Sequence, residues 1–91
     1  MYPVRDGDCL CRIERYELVR DAEQFTIEVI VSLAGGGDHR CEALLYHLGD
    51  LADELCGGGD SVGAAVRDLL LKIQGYTAED LFPFFEKNEP T

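Results

Sequence analysis

The sequence predicts a small α+β domain: an N-terminal antiparallel β-hairpin, two main helices and a short C-terminal third helix, in the order ββααα. Three observations predict it. Residues 24–33 alternate apolar and polar with period two. Residues 38–56 and 60–74 place apolar side chains at helical spacing, and Thr77 to Asp80 reads as a helix-capping box. The 91 residues suffice for a single domain spanning 1–91, with loosely ordered ends at 1–8 and 88–91. A chain this short buries only about 60–65 % of its unfolded surface, so its stability is modest unless a partner adds to it.

In the clearest element, Phe25, Ile27, Val29, Val31 and Leu33 share one face, with Gln24, Thr26, Glu28 and Ser32 on the other. This reads as a half-buried strand. Ile30 is the apolar exception on the polar face, which suggests that two hairpins meet in a homodimer. Upstream, Cys9, Cys11 and Ile13 share one face but Tyr16 and Leu18 the other, so the segment is either helical or, the favoured reading, a strand with a bulge near Glu14 and Arg15 that changes its phase. Arg20, Asp21, Ala22 and Glu23 form the polar turn, which lacks the Asn-Gly signature of a tight one.

Gly35, Gly36 and Gly37 end the hairpin, and Asp38 is placed to cap a helix running to about Cys56. Its stripe comprises Cys41, Leu44, Leu45, Leu48, Leu51, Ala52 and Leu55. Gly57, Gly58 and Gly59 stop it. Asp60 or Ser61 caps a second helix to about Gln74, with Val62, Ala65, Val66, Leu69, Leu70 and Ile73 inward and Gly75 closing it. After the box at Thr77, Pro83 keeps the third helix short, and Phe82, Phe84 and Phe85 plug the space under the sheet and helices. Gly35 to Asp38 and Gly57 to Asp60 repeat the same four residues, but as two loop-and-cap solutions rather than a duplication.

Motifs for small-molecule chemistry are weak. The glycine-rich loop continues into Asp38, His39 and Arg40 rather than Lys-Ser/Thr, and it places a negative charge where a phosphate would sit. Cys9, Cys11, His39 and Cys41 have zinc-type donors but no standard spacing, and cysteines at inward positions of strands and helices are ordinary core residues. No cofactor is expected. His39 and His47 face differently on the expected helix, and neither has a nucleophile and orienting carboxylate at readable spacing, so no catalytic role is assigned.

Charge is the informative feature. Acidic residues outnumber basic ones 18 to 8, for a formal net charge of −10. Direct nucleic-acid binding and an anionic membrane surface are disfavoured. Residues 1–6 lack the basic-then-apolar order of an export signal, so the four cysteines are expected reduced in a cytoplasm. Residues 35–60 hold one basic and six acidic residues, half the excess. On the expected first helix, Glu42, Asp50, Asp53 and Glu54 form an uncompensated acidic ridge with Tyr46 in its middle. Without a Lys or Arg at i+3 or i+4, its like-charge neighbours cost a few tenths of a kcal/mol each.

Such a ridge suits docking on a basic protein surface, the carboxylates steering and Tyr46 anchoring. The expectation is a non-enzymatic binding protein, most concretely an inhibitor or nucleic-acid mimic that blocks a DNA- or RNA-handling complex. Small acidic inhibitors of phages and mobile elements, anti-CRISPR proteins among them, share this physical profile, as do toxin-neutralising immunity proteins. The alternative is an assembly subunit that oligomerises through the hairpin edge and the Phe82, Phe84 and Phe85 region.

Overall fold

A computed structural model describes residues 3–34 and 40–85. Four antiparallel strands run in sequence order across one sheet: β1 (Leu10–Arg20), β2 (Glu23–Ala34), β3 (Cys41–His47) and β4 (Asp50–Gly59). Helix α1 (Val62–Lys72), the four-residue α2 (Ala78–Leu81) and a single 3-10 turn over Phe82–Phe84 follow. The order ββααα is therefore wrong. Where the first main helix was expected, the chain forms a second hairpin.

The physical reason lies in β3 and β4. Cys41, Ala43 and Leu45 are buried while Glu42 and Tyr46 point to the other face, which is strand alternation. Leu48 and Gly49 then reverse the chain, with φ of +52° and +87°. Leu48, at the centre of the expected helical stripe, is 88 % exposed at this turn. In β4 the register shifts: Leu44 pairs with Cys56 but Tyr46 with Leu51, so residues 52–55 stand opposite Leu45 alone. Ala52 and Leu55 both reach the core from this bulge, three residues apart, and so imitate a helix.

The glycines at 57–59 end no helix. They are the strand floor on which α1 rests. A Cβ at Gly57 would lie 2.5 Å from the Leu69 backbone nitrogen and nearer still to the Ala65 carbonyl oxygen; one at Gly59 would lie 2.7 Å from the Ala64 Cβ. Glycine is used here for close backbone approach. The other glycine run, with Asp38 and His39, lies outside the described residues, as do residues 1–2 and the tail at 88–91.

The first hairpin forms as expected but with two differences. Pairing runs unbroken from Cys11 with Ser32 to Arg20 with Glu23, and the one irregularity lies between Leu10 and Cys11, not at Glu14 and Arg15. No bulge is needed, because β1 is an edge strand whose inner face is only partly covered; Arg12, Glu14, Tyr16 and Leu18 share that face. The turn is tight, with Asp21 and Ala22 at φ of +53° and +67°.

Ser61 caps α1, its hydroxyl accepting from the Ala64 amide at 3.1 Å, and Ala65, Leu69 and Ile73 fill the core. Thr77 and Asp80 form the reciprocal box that opens α2. Phe25, Phe82, Phe85 and His47 stack into one aromatic cluster, with ring centroids 5.0–6.2 Å apart. A latch joins the first turn to the end of the chain's helical part. Arg20 Nη1 donates to the carbonyls of Ile73 (2.7 Å) and Tyr76 (2.8 Å), and the Asp21 carboxylate accepts from the Ala78 amide at 2.9 Å.

Two substitutions test this account by chemical denaturation. Gly57→Ala forces α1 off its strand and lowers stability by about 3 kcal/mol. Leu48→Asn replaces an exposed side chain that gains little from packing with one suited to a left-handed turn, and raises stability by about 1 kcal/mol.

Candidate functional site

The structure distributes the five sequence-derived site residues over the β3–β4 hairpin. Glu42 and Tyr46 share the sheet's outer face, the side away from α1. Asp50 opens β4 opposite His47, and Asp53 and Glu54 stand on its bulge. All four carboxylates are exposed and Tyr46 is half-buried. No helical ridge exists, so the like-charge spacings computed for one do not apply. Five residues of strand, about 17 Å, separate the levels of Glu42 and Asp50 along the sheet.

The electrostatic character survives the change of geometry. Residues 41–60 contain five carboxylates and no Lys or Arg. Three basic side chains elsewhere pair within the fold: Arg12 with Glu14 at 2.8 Å, Arg15 with Glu28 at 2.7 Å and Lys72 with Asp68 at 3.4 Å. Glu42, Asp50 and Glu54 have no ion pair among the described residues.

Beside these carboxylates lies an apolar patch that the helical reading concealed. Ile13 pairs across strands with Ile30, Leu44 with Cys56 and Tyr46 with Leu51, all on the outer face. Ile13 is 52 % exposed and the others half-buried. Ile30 was legible as an outward residue; Leu44 and Leu51 were not, because a helical projection assigned both to the core. The signal that finds them is the period-two pattern of residues 41–47 followed by the Leu48 and Gly49 turn.

The inner face offers a different concavity. Helix α1 lies mainly on β4 and β3 and less on β2. A helix is about 10 Å wide and four strands span about 19 Å. An open groove of about 850 Å³ therefore remains between α1 and β1, with Tyr16, Leu18, Ile27, Val66 and Leu70 along it. The charged residues along it are Glu17, Arg20 and Arg67, and no His, Cys or Ser lines it. The Arg20 guanidinium is already committed to the carbonyls of Ile73 and Tyr76.

Among the described residues, Cys41 is not brought together with Cys9 and Cys11. Cys41 is buried on the inner face, paired with Val31, whereas Cys11 faces outward beside Ser32. Cys9 and Cys11 approach to 3.4 Å between sulfurs, and His39 lies outside the described residues. Among the described residues no group of three or more His, Cys, Asp or Glu is arranged to hold a metal ion. His47 packs in the aromatic cluster with Nε2 3.5 Å from Glu23.

No family model, curated protein or solved structure matches the chain. No helix among the described residues is long and apolar enough to cross a membrane.

The two neighbouring thiols make a measurable prediction. The Cys9 hydrogen bond, with a smaller contribution from desolvation, raises the Cys11 pKa above that of an ordinary thiol and so depletes its thiolate. Cys9→Ala brings the pKa down, and Cys11 alkylation by iodoacetamide near neutral pH accelerates several-fold.

Proposed function

We propose that the protein is a non-enzymatic binding module whose acidic β3–β4 hairpin docks on a basic protein surface. The observation that carries this reading is the composition and exposure of one hairpin: four carboxylates without a single Lys or Arg, beside Leu44, Tyr46 and Leu51 on the open face of the sheet. An apolar centre with a charged rim is the usual anatomy of a protein–protein interface. Tyr46 supplies buried contact area. Glu42 flanks it, and Asp50, Asp53 and Glu54 extend the negative field along the hairpin turn and the edge of β4. That field accelerates encounter with a basic partner and repels free nucleic acid.

The narrower form of the proposal is an inhibitor of a DNA- or RNA-handling complex acting in a cytoplasm, of the kind carried by phages and mobile elements or used to neutralise toxins. The charge supports it, as do the four free cysteines. The carboxylates lie at different levels of a flat sheet, so the reading rests on charge complementarity rather than on an imitation of phosphate spacing. The competing role of an assembly subunit loses half of its proposed surface, because Phe85 is buried and Phe82 packs in the aromatic cluster with Phe25.

Affinity capture with mass spectrometry, at low and high ionic strength, tests the proposal. A basic protein is retained at low salt and lost at high salt. Tyr46→Ala weakens its binding roughly 30-fold, the loss of about 2 kcal/mol expected of an aromatic anchor. Glu42→Lys combined with Asp53→Lys weakens it further while the circular dichroism spectrum is unchanged. Undiminished binding by the charge-reversed hairpin at low salt would reject the reading.

A further inference from the structure

The two edges of the sheet are built differently. On β4 the bulge carrying Asp53 and Glu54 and the run of glycines interrupt the edge. Such devices keep a strand from accepting another chain. The eleven-residue β1 has neither a glycine run nor a bulge beyond Cys11. It contains no proline, glycine or lysine, its register is unbroken beyond Cys11, and among the described residues it pairs with β2 alone.

Beyond Cys11 the outward side chains of β1 read, in order, Ile13, Arg15, Glu17 and Val19. This series is complementary to its own reversal. A two-fold axis through Tyr16, perpendicular to the sheet, keeps outer face against outer face. It sets Ile13 against Val19 of a second copy, and Arg15 against Glu17 of a second copy, each pair occurring twice. Apolar and opposite-charge pairs directly across antiparallel strands are the favourable ones. Neighbouring axes fail. Through Arg15 or Glu17 a charge meets itself, through Glu14 Ile13 meets Arg15, and through Leu18 Glu17 meets Val19. Val19 is 66 % exposed in the single chain, although it belongs to the residue types that strands bury.

We infer that β1 pairs antiparallel with β1 of a second copy of this chain about a two-fold axis at Tyr16, joining two four-stranded sheets into one of eight strands. On the inner face Tyr16 then meets its counterpart and Glu14 lies opposite Leu18. Arg15, already bonded to Glu28 of its own chain, gains Glu17 of the other as a second carboxylate. Two bodies of charge −10 repel each other, so added salt strengthens this association. Docking of a basic partner responds to salt in the opposite sense, so the two interactions are separable.

Sedimentation across a concentration series, at low and high salt, is the first test. The expected result is a monomer–dimer equilibrium that shifts towards dimer with salt and is lost in Val19→Lys at unchanged melting temperature. Disulfide trapping reads the register, because directly opposed antiparallel residues hold their Cα atoms about 4.5–5.5 Å apart, within disulfide range. With Cys9, Cys11 and Cys56 replaced by Ser, Tyr16→Cys forms a covalent dimer on oxidation. Glu14→Cys and Leu18→Cys do not when separate, but do when mixed. A monomer at sub-millimolar concentration in high salt overturns the inference, as does trapping strongest at another position or a β1 edge that pairs with a different protein instead.

Discussion

The contact between α1 and the glycine floor of β4 is the constraint on which the architecture rests. One helix of eleven residues must close the inner face of a four-stranded sheet, and it does so by approaching β4 more closely than any side chain would permit. That approach lets Ala65, Leu69 and Ile73 reach Val29, Leu45 and the bulge residues Ala52 and Leu55, which form one continuous cluster. It also decides what stays open. A helix drawn over β3 and β4 leaves β1 at the margin, so the groove and the unpaired edge follow from the same packing choice.

Where local chemistry and fold agreed, the structure was legible from the residues. The alternation of β2 is simple because that strand lies inside the sheet with one face fully covered. The Ser61 cap and the box at Thr77 were readable because a cap is decided by a few neighbouring residues. The β3–β4 hairpin was not legible, and its residues show why. Ala52 and Leu55 are brought to one side by a bulge, Leu48 is apolar in a turn, and Leu44 and Leu51 are apolar on the outer face. Together they satisfy a 3.6-residue period by coincidence. The candidate site divided along the same line. The exposure of its carboxylates was readable from charge, which depends little on backbone geometry, whereas the ridge required a helix that does not form.

Charge and apolar surface are distributed unevenly across the outer face. At β1 that face carries both signs, Arg15 and Glu17, and Arg15 is paired with Glu28 of the next strand. At β3 and β4 only the negative sign is present among the fully ionised side chains. The face therefore has a self-matching side and a side that attracts its opposite. A single sheet can hold both because cross-strand neighbours interact over one or two strands and little beyond.

The bonds from Arg20 and Asp21 to the stretch after α1 couple parts of the chain separated by more than fifty positions. During synthesis the first hairpin leaves the ribosome long before its partners at Ile73, Tyr76 and Ala78. Its turn holds two non-glycine residues in the left-handed region. The three bonds that anchor the hairpin turn to the rest of the fold can therefore close only once Ile73 to Ala78 have emerged.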